Sequence, residues 1–172
     1  MIHRDLKLEN VLFESKARVR IKVVDFGISG VCSEFSADKN NAATLRYMTP
    51  EMISQSYSTA NSAMDVWAMG VMVYAMIFCQ TPFDGDEKEE IRNKIMNQPH
   101  RFPKSIPVTN ECRSFIDSCL KKDPVERISV RDMLFHDWMG LNEDVLDERC
   151  KELQENYRKK IEDEEKERNI LQ

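Results

Sequence analysis

Two periods organise the apolar and polar residues of this 172-residue chain. Near the start, Val11, Leu12 and Phe13 favour a strand, the charged stretch ESKAR supplies a turn, and VRIKVV alternates Val19, Ile21 and Val23 with Arg20 and Lys22. This pattern predicts a short hairpin. Folding back would bring Asn10, just before the first strand, close to Asp25, just after the second. Asp5 lies on the loop that feeds the same strand. Asn and Asp at strand ends usually serve the turns themselves, so spacing alone gives these three residues only that role.

Further along, the period becomes helical. The apolar run VWAMGVMVYAMIFC, Val66 to Cys79, is short for a membrane span and is read as a buried core helix. In TNECRSFIDSCLKK, Cys112, Phe115, Ile116, Cys119 and Leu120 recur at i, i+3, i+4, i+7 and i+8, one buried stripe. In SVRDMLFHDWM, Ser129 and Asp132 resemble a capping box, with Val130, Met133, Leu134 and Trp138 expected to face inward and His136 to be packed or on the surface. After Trp138 the composition turns strongly charged. There Leu146, Cys150, Leu153, Tyr157 and Ile161 keep helical spacing, and Glu155 with Lys159, Glu162 with Lys166, and Glu164 with Arg168 support a helix by about 0.2–0.5 kcal/mol each. The seam is too short for a coiled coil, which leaves a solvated or frayed helix and a partner-binding helix both open.

Composition narrows the class. A net charge of −5 gives no whole-chain reason to expect nucleic acid or an anionic membrane as partner. Five cysteines without Cys-x-x-Cys spacing and three scattered histidines argue for reduced, mostly packed thiols rather than a structural zinc site. The charged start MIHRD is unlike a signal peptide, so an intracellular, cytoplasmic protein is expected.

The letters around the hairpin change the reading of Asp5, Asn10 and Asp25. His3-Arg4-Asp5, Lys7 and Asn10 form H-R-D-x-K-x-x-N, and Asp25-Phe26-Gly27 follows the second strand. Together these resemble the catalytic loop and metal-binding motif of eukaryotic protein kinases. The likeness continues in order through Thr44 to Glu51 (TLRYMTPE), Asp65-Val66-Trp67, TPFDG from Thr81 to Gly85, and DPVERIS from Asp123 to Ser129. Ordered motifs multiply their weight where a single one would mislead.

The resemblance implies a serine/threonine protein kinase that moves the γ-phosphate of ATP to a protein hydroxyl with Mg2+. It implies a mainly α fold, the C-terminal lobe of a kinase-like domain over residues 1–138 with a short β-hairpin at the catalytic loop, followed by a charged helical or disordered tail over 139–172. By the same resemblance, Asp5 accepts or orients the substrate proton, Lys7 contacts the transferring phosphate, and Asn10 and Asp25 hold magnesium. Leu12 forms the floor under adenine, with core packing as its alternative. Lys7 and Thr44 mark the serine/threonine class, and Glu9 reads a basic residue near the phosphoacceptor or is simply solvated. Asp65 binds backbone amides of the catalytic loop, and Glu51 pairs with Arg127. The subgroup it most resembles is the calcium/calmodulin- and AMP-dependent kinases.

Four departures accompany the likeness. Ala43 stands where glycine usually precedes the threonine, and Thr49 stands where alanine is customary. The segment ADKNNAA before Thr44 has no hydroxyl side chain for the phosphate that Arg4 would pair with, so Asp38 is expected to substitute for it, or Ser33 or Ser36 to serve upstream. Finally, the five glycines form no G-x-G-x-x-G loop. The nucleotide-binding lobe and the helix behind the catalytic loop are therefore expected to lie outside these 172 residues, leaving the chain marginally stable alone. Part of an active kinase, a non-catalytic docking or regulatory module, and a helical scaffold with coincidental motifs are the three readings this leaves.

Overall fold

Alternating and helical patterns each produce the expected element in the computed structural model, which describes residues 2–15, 18–25, 42–56 and 61–140. Strands β1 (Val11–Ser15) and β2 (Arg18–Val23) pair antiparallel, with Val11 opposite Val23, Leu12 opposite Lys22 and Phe13 opposite Ile21. They run further into ESKAR than the charge pattern suggested, since Ser15 still pairs with Arg18 across a local irregularity. A single 3-10 turn, Leu8–Asn10, leads into β1.

The helices are α1 (Ala42–Leu45), α2 (Pro50–Ser54), α3 (Ser62–Phe78), α4 (Lys88–Asn97), α5 (Asn110–Cys119) and α6 (Val130–Leu134). Thr49 caps α2, its hydroxyl accepting from the Met52 amide at 3.1 Å, and Pro50 follows at the first helical position, where its missing N–H costs nothing. Asn61 and Thr109 cap α3 and α5 in the same way. Cys79 closes α3 in the left-handed conformation.

Two compact units divide between Val130 and Arg131. In the first, α3 forms the axis of the core. Trp67, Val71 and Tyr74 of this helix are almost wholly buried, as are Ile116 and Cys119 of α5. The two helices come close because residue 70 is glycine: a Cβ there would meet the Cys119 Cβ at 2.6 Å. The whole predicted stripe of α5, Cys112 to Leu120, is inside, and burial pushes the Cys119 thiol up to about 12. Cys79, by contrast, is exposed. In the second unit, the described residues run to Gly140.

Two expectations need correction. Val130 and Leu134 do not face inward: they are 43% and 37% exposed, and Trp138 is only half-buried, whereas Met133 is buried. At i, i+3 and i+4 the residues Val130, Met133 and Leu134 lie within about 100° of one another and share a side of α6, but among them only Met133 is covered. Leu12 is not a core residue either, being 50% exposed on β1. His136 is half-buried and uses Nδ1 to accept from the Trp138 amide. Phe26, Gly27, Ser33, Ser36, Asp38, Cys32, Cys150 and the paired charges of the tail lie outside the described residues.

Candidate active site

The loop from His3 to Asn10 is fastened at three points. Asp65, in the first turn of α3, accepts from two successive backbone amides, His3 N–H to Oδ2 at 2.8 Å and Arg4 N–H to Oδ1 at 2.9 Å. One carboxylate thereby satisfies two donors that lie 62 and 61 residues away in sequence. His3 makes the second fastening. Its Nδ1 accepts from the Asp5 amide at 3.3 Å, which leaves Nε2 to donate to the Val24 carbonyl at 3.1 Å. The third is backbone: Val24 N–H donates to the Asn10 carbonyl at 2.9 Å. Asn10 and Asp25 are thus brought to neighbouring positions, as the hairpin predicts.

Backbone strain marks the same places. Arg4 has φ of 72° and Asp25 φ of 63°, left-handed conformations that side-chain-bearing residues adopt at a cost of about 1 kcal/mol or more. The two Asp65 hydrogen bonds hold the strained Arg4 peptide. Positive φ at Gln55 and Cys79 has another origin, since both end helices.

Inside the loop, Lys7 Nζ donates to Asp5 Oδ2 at 2.7 Å, with the two side chains 20% and 16% exposed. The Asn10 carboxamide is buried and donates through Nδ2 to the Asp5 carbonyl at 2.8 Å and, more weakly, to Asp5 Oδ2 at 3.3 Å. Using Nδ2 in this way leaves Asn10 Oδ1 as an acceptor. Amide oxygen and carboxylate together, from Asn10 and Asp25, suit a hard cation. Among the described residues no three His, Cys, Asp or Glu side chains converge. A cation here would rest on this two-residue oxygen set, completed by phosphate oxygens and water, which is the usual manner of Mg2+. The residues present fit the ion.

Beside Asp5 runs a narrow crevice lined by Arg4, Asp5, Thr44, Tyr47, Met64 and Asp65. It brings Asp5 and Thr44 together across 39 positions of sequence (44 − 5). Tyr47 was not singled out by sequence, yet it connects this segment to the loop: burial raises its phenol above the ordinary tyrosine value, and the Glu9 carboxylate nearby raises it further. Glu9 therefore sits close to the Thr44–Thr49 segment. His3 was also missed as a positioning residue, and its place in the H-R-D letters was the available signal.

Below the crevice, Glu51 and Arg127 pair as expected. Arg127 Nη1 and Nη2 reach Glu51 Oε1 and Oε2 at 2.9 and 3.0 Å, and the remaining donors go to the carbonyls of Ala63, Lys121 and Lys122. The guanidinium is wholly enclosed and every N–H is used.

Comparison with known proteins now decides the family. The protein kinase domain profile matches residues 1–139. The chain belongs to the protein kinase domain family. Among similar sequences are the serine/threonine-protein kinase SAPK7 of Oryza sativa subsp. japonica, 33% identical, and SRK2E of Arabidopsis thaliana, 34% identical; each alignment covers 81% of this chain and 40% of the relative. The cell cycle serine/threonine-protein kinase CDC5/MSD2 of Saccharomyces cerevisiae is 32% identical over 80% of this chain and 19% of its own. The chain thus spans well under half the length of these curated relatives. In fold it is similar to the twitchin kinase region from C. elegans, with a TM-score of 0.71 at 23% identity, covering 82% of this chain and 25% of that one. Among the described residues, this kinase domain is represented by helices and one two-stranded hairpin.

Proposed function

We propose that this chain carries the phosphate-transferring and substrate-docking part, the C-terminal lobe over residues 1–138, of a serine/threonine protein kinase. The observation that carries the reading is the convergence of Asp5, Lys7 and Asn10 on one strained, Asp65-fastened loop, with the hairpin end that leads to Asp25 bonded to Asn10 through Val24. When bound, ATP with magnesium supplies the electrophilic γ-phosphoryl group.

The chain's own residues then divide the work. Asp5 orients the substrate hydroxyl and accepts its proton as the new P–O bond forms and the bond to the departing diphosphate breaks. Lys7, 2.7 Å from Asp5, keeps a positive charge beside the transferring phosphate. Asn10 Oδ1 and the Asp25 carboxylate hold the cation. Leu12, half exposed at the start of β1, offers an apolar surface for adenine to lie on. Thr44 and Glu9 face the protein substrate, with Glu9 favouring a basic residue near the phosphoacceptor. Arg4 pairs with an anionic group in the segment that holds Ser33, Ser36 and Asp38.

Phosphate transfer from labelled ATP to a mixed protein substrate tests this, using the protein as produced in its own cells, followed by phosphoamino-acid analysis. The expected product is phosphoserine or phosphothreonine, with Asp5→Ala lowering the rate by about 10²–10⁴-fold. Phosphotyrosine as the main product, or an unchanged rate in Asp5→Ala, would overturn the reading.

A further inference from the structure

A second site stands apart from the crevice beside Asp5. After α3 the chain passes through Gln80 to Asp84, continues into α4, and returns through Gln98 to Arg101; between these segments lies an open groove of about 400 Å³. Its apolar lining comes from Phe83, Pro82 and Pro99, and Tyr74 is fixed against it by donating from its hydroxyl to the Arg101 carbonyl at 2.6 Å.

The charges of the groove do not cancel. Asp84 is taken by Arg46, whose Nε and Nη2 lie 2.9 and 2.8 Å from Oδ1. Lys94 is taken by Glu90 at 2.6 Å and by the Asp84 carbonyl at 2.5 Å. The Arg101 side chain is exposed and its guanidinium has no ion-pair or hydrogen-bond partner among the described residues. Among the lining residues one carboxylate, Asp84, thus stands against two cations, Lys94 and Arg101, and only Arg101 is left over, in a chain whose net charge is −5.

We infer that this groove, with Arg101 at its rim, binds an extended acidic peptide segment of a partner protein. The remaining side chains suit that ligand. Gln80 and Gln98 line the groove, and a carboxamide places a donor and an acceptor side by side in the pattern a peptide backbone presents. Pro82 and Pro99 give apolar contact to the peptide's side chains, while Arg101 is free to take a carboxylate in a two-pronged hydrogen bond. None of these residues belongs to the phosphate-transfer site, so the inference stands or falls separately from it.

Fluorescence anisotropy on the purified 172-residue chain tests the site, with an octapeptide of alternating glutamate and leucine as probe. The expected result is a Kd of about 0.1 mM or tighter, weakened at least about tenfold by Arg101→Glu and weakened further by raising the salt. Gln98→Ala should also weaken it, whereas Arg92→Glu, a change on α4 outside the groove, and Asp25→Ala, a change in the phosphate-transfer site, should leave it unaltered. Because Arg101 is exposed, its variant should unfold at the wild-type midpoint. Equal binding of the same peptide with lysine in place of glutamate, a Kd in Arg101→Glu within twofold of wild type, or no binding at about 1 mM peptide would each overturn the proposal.

Discussion

Between His3 and Asp25 the side chains that carry chemistry are held by hydrogen bonds to backbone, and much of the surrounding apolar surface is open: Phe13 is 72% and Ile21 56% exposed. Between Glu51 and Arg127 the balance is reversed. There the chain packs Trp67, Val71 and Ile116 to complete burial around one enclosed ion pair. The difference teaches where each property resides. Folding free energy comes mainly from the second region, through apolar burial, whereas the first keeps its reacting groups polar, strained and reachable. Asp65 joins the two, since it is rooted in the buried helix α3 and its carboxylate holds the strained loop.

The comparison can be broken from its stable side most severely. Arg127→Ala would leave the Glu51 carboxylate buried without its partner, and urea unfolding should show a loss of about 3–5 kcal/mol. A loss within 1 kcal/mol would mean that the pair is not part of the core. Next comes the link itself. Asp65→Ala strands two amide donors and should cost about 1.5–3 kcal/mol. Its more telling signature is local: hydrogen exchange at the His3 and Arg4 amides should accelerate while the middle of α5 stays protected. Uniform acceleration would show that loop and body are one cooperative element.

Smaller changes sharpen the same contrast. Thr49→Ala installs the residue customary at this position in the family that the chain resembles, yet it removes the α2 cap. A loss of about 1 kcal/mol in thermal unfolding is expected. The weakest effect is one of pH. His100 lies 2.8 Å from Asp117, with its ring N–H off the line of a good hydrogen bond, and burial outweighs the carboxylate to lower its pKa. The unfolded chain therefore binds this proton first as pH falls through about 6.5, and stability declines over the window down to the folded value. A His100→Phe variant should lose that part of the acid sensitivity in a pH series of unfolding midpoints.

How far the sequence could be read follows from the range of each interaction. The hairpin and the stripe of α5 rest on neighbours a few residues apart, and period alone places them. Thr49 was legible in principle, because Thr followed by Pro is a helix-start signal, although the likeness to other kinases drew attention to the missing alanine instead. The Asp65 clamp and the Glu51–Arg127 pair span 62 and 76 residues. No local pattern contains them, and the order of motifs was their only trace. Val130 and Leu134 misled because spacing puts them on the same side as Met133 without saying how far the cover over that side extends. Arg101 carries no motif, and although TPFDG supplies one wall of its groove, the groove emerges only when the segments on either side of α4 are seen together.

The central claim is that Asn10 and Asp25 form a cation site beside Asp5. Titrating the 15N-labelled chain with Mn2+ and ATP, and recording which amide signals broaden, tests it most directly. The account predicts broadening centred on the Asn10 carboxamide and the backbone around Asp25, reaching Asp5, and abolished by Asp25→Ala. Broadening centred elsewhere, or unchanged in that variant, would contradict it.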